Sequence, residues 1–164
     1  MRRTLLIVHH SATGGTRQMA EAAAAGARSV DEVEVIFRHA AEAGPDDLLG
    51  ADLYLFATPE MLAAIAGVMK DFFDRSYYPA LGRIEGRPYA LMVCAGSDGS
   101  NAARQVERIA TGWRLKRVAD PLIMCTHAQT PEAILAPKQI APGDRDRCRE
   151  MGEMLATGLS LGIF

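Results

Sequence analysis

Leu5-Leu6-Ile7-Val8-His9-His10-Ser11-Ala12-Thr13-Gly14-Gly15-Thr16 is the stretch whose reading decides the fold. Its first four residues are an unbroken apolar run, the pattern of a strand buried on both faces of a parallel sheet. The run ends at His9-His10-Ser11 and passes into a small-residue loop. Beyond the loop, Met19, Ala20, Ala23 and Ala27 give an alanine-rich helix, ending near Arg28, a small, flat inner face. Ser11, Thr13 and Thr16 bring hydroxyls together, and Gly14 and Gly15 have no side chain to obstruct a ligand. Backbone N–H groups of residues 13–16 can converge at the positive end of that helix, where a phosphate monoester fits. No lysine or arginine lies inside the loop, so amide and hydroxyl dipoles carry the binding. The plainer alternative is a polar turn with an ordinary helix cap at Thr16.

Outward from this unit, strands and helices alternate. Val33 to Phe37 reads as a second strand and Asp46-Asp47-Leu48-Leu49 as at most a brief helix. Ala51 to Ala57 reads as a third strand, stopped at Thr58-Pro59 because proline cannot donate to a ladder. A helix is expected over about Met61 to Ser76, with Leu62, Ile65, Met69 and Phe72 on its buried face. Tyr89 to Ala95 is a fourth strand, turned by Gly96-Ser97-Asp98-Gly99-Ser100 into a helix that Thr111-Gly112 ends. A fifth strand is expected between Trp113 and Cys125, with Trp113 at its start. Residues 126–143 form a proline-punctuated connection with one helical turn at Thr130-Pro131-Glu132. A last helix from about Asp144 shows Cys148, Met151, Leu155 and Leu159 on one face.

This alternation predicts an α/β fold, a five-stranded parallel sheet of order 2-1-3-4-5 with helices on both faces. In such sheets the ligand lies beyond the carboxyl ends of the strands, near the switch point. That places the site at loops 9–16, 58–64 and 95–101.

Composition narrows the classes of function. The 164 residues suit one domain, 1–164, with one core. A formal net charge of −2 excludes a strongly basic nucleic-acid footprint, and the basic stretch Arg104 to Arg117 reads as a solvated helix face and edge strand. No apolar run has membrane-spanning length, so no membrane insertion is expected, and the short apolar start does not make a signal peptide. The expected location is cytoplasmic. Cys94, Cys125 and Cys148 form no CxxC pair and read as small buried residues. The first loop has no Cys-x5-Arg phosphatase motif, Gly96-Ser97-Asp98-Gly99 is not a GxSxG elbow, and no metal-ligand cluster occurs.

The stretch from Ile7 through Ala20 resembles the flavodoxin signature, with His9 where tyrosine or phenylalanine is usual. Thr58-Pro59-Glu60 followed by Gly67-Val68-Met69-Lys70-Asp71-Phe72-Phe73-Asp74-Arg75 resembles flavodoxin-fold NAD(P)H-dependent FMN and quinone reductases, as does Ala95-Gly96-Ser97-Asp98-Gly99. The resemblance implies a flavodoxin-like three-layer sandwich and FMN as cofactor. NAD(P)H would be co-substrate and a quinone or similar small molecule the electron acceptor. By it, Ser11, Thr13, Gly14, Gly15 and Thr16 hold the phosphate. Thr58, Pro59, Glu60 and Met61 lie along one side of the flavin ring, and Ala95, Gly96, Ser97 and Asp98 along another. No catalytic side chain is implied, since the flavin carries the redox chemistry.

Where relatives carry asparagine and aromatic residues, this chain has Met61-Leu62-Ala63-Ala64-Ile65, so aliphatic contact is expected to replace ring stacking and FMN to be held weakly. Two other classes stay open. One is an electron carrier that docks to protein partners, which a net charge of −2 steers little. The other is a binding or regulatory domain with weakened FMN affinity. A homo-oligomer is left open as well. His9 and His10 read as strand-end residues, His127 as an outlying candidate to touch substrate, Cys94 as inert and Trp113 as a core or edge anchor.

Overall fold

A computed structural model describes residues 2–164. The elements in chain order are β1 (Arg3–His9), α1 (Gly15–Ala27), β2 (Val33–His39), α2 (Pro45–Gly50), β3 (Leu53–Met61), β4 (Ala64–Ile65) and α3 (Gly67–Ala80). They continue as β5 (Pro88–Ala95), α4 (Ser100–Gly112), β6 (Lys116–Arg117), β7 (Leu122–Cys125), α5 (Pro131–Leu135) and α6 (Pro142–Leu161).

The sheet order is β2-β1-β3-β5, with β6 and β7 both paired in parallel to the outer side of β5. The expected order 2-1-3-4-5 holds, with the fifth strand in two pieces. Between them, Val118 N still donates to Tyr89 O at 3.0 Å before the chain leaves the ladder toward Asp120-Pro121. Trp113 starts no strand. It caps the carboxyl end of α4 and packs edge-on against Phe73 at 5.7 Å.

Alternating side chains of each central strand feed two cores. Leu6, Val8, Tyr54 and Phe56 face α2, α3 and α4, while Leu5, Ile7, Leu53 and Leu55 face α1 and α6. On the second face the helices meet backbone to backbone. A Cβ on Gly152 would lie 1.9 Å from Ala23 O, and one on Gly26 2.0 Å from Arg149 O. The alanines of α1 serve this close approach.

Two expectations fail at the end of β3. The strand does not stop at Thr58-Pro59 but runs to Met61, with Thr58 opposite Val93 and Pro59 opposite Cys94. Ala57 O accepts from His10 N at 3.1 Å, so the two-residue alternation turns the Pro59 nitrogen to the same side, beyond the end of β1. No ladder donor is needed there. The helix expected from Met61 starts only at Gly67. Glu60 to Ile65 form instead a tight hairpin, turning at Leu62 (φ 49°) and Ala63 (φ 60°). Leu62 is fully exposed at its tip rather than on a buried helix face. Met69 and Phe72 are buried as expected.

Candidate functional site

A cleft of about 470 Å³ opens at the carboxyl ends of β1, β3 and β5, within the usual size of a small-ligand site. Of the residues singled out in the sequence, Ser11, Thr13, Gly15, Thr16, Pro59, Glu60, Met61, Ala95 and Gly96 line it. Gly14, Thr58, Ser97 and Asp98 do not.

The first wall is the loop ahead of α1. Gly14 (φ 96°) turns the chain into the helix, a conformation that favours glycine, and its N–H donates to Ser11 Oγ at 3.1 Å. The first intrahelical bond is Gln18 N to Gly14 O at 3.2 Å. The N–H groups of Gly15, Thr16 and Arg17 therefore precede the helical ladder and remain as donors at its positive end. No acidic residue in the first turn competes with an anion. Gly15 is a cradle: a Cβ there would lie 2.6 Å from Cys94 Sγ. The Thr16 hydroxyl is buried beside it, with the Cys94 thiol as its polar neighbour. The N–H groups of Gly15, Thr16 and Arg17 are left without helical acceptors, which the oxygens of a phosphate would supply.

The second wall is the β3–β4 hairpin, which α4 holds in place. Glu60 Oε2 accepts from Gly99 N at 2.6 Å, Asn101 Nδ2 donates to Ala63 O at 2.7 Å, and Gln105 Oε1 accepts from Ile65 N at 2.8 Å. The Glu60 carboxylate thus sits at the positive end of α4. Thr58 lies beneath the cleft, its hydroxyl accepting from Ala66 N at 3.4 Å. Asp98 turns away to Ser100, accepting from its N–H at 3.3 Å and its Oγ at 2.8 Å. Of Met61-Leu62-Ala63-Ala64-Ile65, only Met61 lines the cleft, so the expected aliphatic substitute for ring stacking reduces to one thioether side chain.

A third wall was missed in the sequence. Ile134 and Leu135 of α5, with Lys138, Thr126 and Ala128, complete the cleft from the long connection. Gln18 fastens this segment to the loop, with Nε2 donating to Lys138 O at 2.7 Å and Oε1 accepting from Ile140 N at 3.0 Å. Lys138 N also donates to Thr13 O at 2.8 Å. A lysine therefore stands beside a loop that contains none, brought there by tertiary contact. The sequence signal was Gln18, a polar residue in the first turn of α1 that nothing in the sequence sets apart from its neighbour Arg17.

Cys94 also lines the cleft. Burial, with a smaller push from Cys125, lifts its thiol to about 11, so it stays protonated at neutral pH. Outside the cleft, His9 is stacked on Phe37 with ring centroids 4.2 Å apart. Burial, then the nearby His39 and Arg17, lower it to about 4. Among the described residues no cluster of His, Cys, Asp or Glu is placed to hold a metal ion, and no helix is long and apolar enough to cross a membrane.

This sheet order, with a phosphate-ready loop after the first strand, defines a flavodoxin-like protein. The solved structure of a flavodoxin from the domain Archaea superposes with a TM-score of 0.76 at 17% identity, over 95% of this chain and 98% of that one. A flavodoxin from Aquifex aeolicus is 27% identical, over 97% of this chain and 88% of its own length. An NAD(P)H dehydrogenase (quinone) from Acidithiobacillus ferrooxidans is 36% identical over 92 residues, covering 44% of this chain and 46% of that protein. The family model for NADPH-dependent FMN reductase matches residues 38–130. The chain belongs to this family, and FMN is the cofactor that membership brings. The residues present fit it, since the Gly15 cradle and the free N–H groups at the head of α1 suit a terminal phosphate.

Proposed function

We propose that the protein is an FMN-dependent oxidoreductase that takes hydride from NAD(P)H and delivers electrons to a quinone or similar small acceptor. The observation that carries this reading is the set of free N–H groups of residues 15–17 beside the Gly15 cradle, at the head of a cleft of cofactor size. FMN, when bound, supplies the hydride and electron chemistry.

The chain's own residues then bind and orient. The N–H groups of Gly15, Thr16 and Arg17 and the hydroxyls of Thr13 and Thr16 would hold the phosphate. Pro59, Glu60 and Met61 from the hairpin and Ala95 and Gly96 after β5 would flank the ring. Thr58 and Asp98 act one step back, holding the hairpin and the third loop in shape. Cys94, protonated and shielded, supplies packing rather than a thiolate.

A second reading, an electron carrier docking to protein partners, draws support from the whole-length similarity to the Aquifex aeolicus flavodoxin. The test is two-part. The visible spectrum of the purified protein with added FMN reports cofactor binding. Oxidation of NADH and of NADPH in the presence of a soluble quinone then separates the readings. Turnover with the quinone supports the reductase. FMN binding without NAD(P)H oxidation would favour the carrier, and no flavin spectrum at all would reject both.

A further inference from the structure

We propose that Lys138 is the cationic partner of the cofactor phosphate, the charge that the first loop itself lacks. The inference rests on the FMN reading above and assigns a further residue to that site.

Loop 11–16 contains hydroxyls and glycines and no basic side chain, and Arg17, the next residue, is exposed and paired with Glu21 at 2.7 Å. A phosphate monoester carries nearly two negative charges at neutral pH. Helix N–H groups contribute only about half a unit charge at their end. Dipoles alone leave most of the phosphate charge uncompensated.

Lys138 is the basic residue that lines the cleft. Its backbone is bonded to Thr13 O, its carbonyl is held by Gln18, and its Cβ lies 3.5 Å from where a Gly15 Cβ would be. The lysine stem is therefore fixed against two residues of the phosphate loop, Thr13 and Gly15. Its ammonium is also held. Nζ donates to Ala133 O at 2.8 Å, Ile134 O at 2.8 Å and Ala136 O at 2.6 Å. These are neutral acceptors around the end of the five-residue α5. The ammonium's bonds to these carbonyls are already charge-assisted, and a phosphate dianion would add direct attraction between opposite charges. The field of the ammonium already reaches the loop floor, where it opposes the upward push on the Cys94 thiol beneath Gly15.

The alternative role is purely structural: Lys138 staples α5, and so Ile134 and Leu135, against the cleft. The two roles give different results with two ligands that share a ring and differ in the phosphate. FMN and riboflavin are titrated by flavin fluorescence quenching into wild type, Lys138→Met and Lys138→Arg. Charge pairing predicts that Lys138→Met weakens FMN about tenfold while riboflavin is unchanged, and that Lys138→Arg restores most of the loss. It also predicts that salt weakens FMN binding to wild type more than to Lys138→Met.

Equal weakening of both flavins in Lys138→Met would make Lys138 a staple and overturn the proposal. So would unchanged FMN affinity. If wild type binds neither flavin, the FMN reading itself fails. Inorganic phosphate then decides Lys138 separately: it should raise the melting temperature of wild type and not of Lys138→Met, and an equal rise in both would overturn the proposal.

Discussion

The loop at 11–16 and the hairpin at 60–65 border the same cleft, yet they are built by opposite means. In the loop, local chemistry dictates shape. Gly14 adopts φ 96°, Gly15 leaves room over Cys94, and Ser11 folds back onto Gly14 N. Each of those residue types is the one the conformation asks for. In the hairpin, the tip residues Leu62 and Ala63 sit in the left-handed region without being glycine or asparagine. That shape is imposed from outside by Gly99, Asn101 and Gln105 at the start of α4. A loop that carries its own instructions is readable, whereas one held by distant tethers reads as whatever its composition favours, here a helix.

Substitutions sharpen the contrast, and the largest effect belongs to the loop. Gly15→Val must move Cys94 Sγ, which a Cβ would meet at 2.6 Å, and it fills the cradle. FMN affinity should fall by more than about a hundredfold in fluorescence titration, at least 2.7 kcal/mol. Retention of wild-type affinity would remove the loop from the site.

The next effect lies just ahead of the loop, at His9. Its folded-state pKa of about 4 lies below the usual value of 6.5, so the unfolded chain binds more protons between those limits. Stability is fully present above about pH 6.5 and is lost as pH falls toward 4; the lowering alone corresponds to about 3 kcal/mol, which solvent screening of the ring reduces to roughly 2 kcal/mol. His10, also lowered by burial and by His39, adds to the same trend. Denaturant unfolding across this range should show the slope, and His9→Phe, which keeps the stack on Phe37, should flatten it.

The hairpin tethers come third. Asn101→Ala leaves Ala63 O without its donor, and Gln105→Ala leaves Ile65 N without its acceptor. Each should cost about 1 kcal/mol and increase amide exchange over residues 60–65, with loop 11–16 unmoved. The smallest effect is Ala63→Gly. It relieves a left-handed alanine and should stabilise the protein by under about 1 kcal/mol, read from the denaturation midpoint. A loss of stability there would show that the turn is not strained.

Legibility followed the same division across the molecule. The apolar runs Leu5 to Val8 and Tyr89 to Ala95 spelled buried strands, and their alternation with helices gave the sheet order. Pro59 misled because a donorless nitrogen is harmless where the neighbouring strand has already ended. The spacing of Leu62, Ile65, Met69 and Phe72 misled because a helical period fell by chance across a hairpin and the start of α3. Lys138 and α5 were invisible as site residues, since 122 positions of sequence separate Ile140 from the Gln18 side chain that anchors the segment. Placing an aromatic residue at 62 would fail to restore stacking, because that side chain projects into solvent at the tip.

The central claim is that the cofactor phosphate seats at the head of α1, and backbone amide chemical shifts on FMN titration test it most directly. The amides of Gly15, Thr16 and Arg17 should move farthest, saturating at one FMN per chain, with smaller shifts at Glu60, Met61, Ala95 and Gly96. Saturable FMN binding that leaves the amides of residues 15–17 in place would contradict the account.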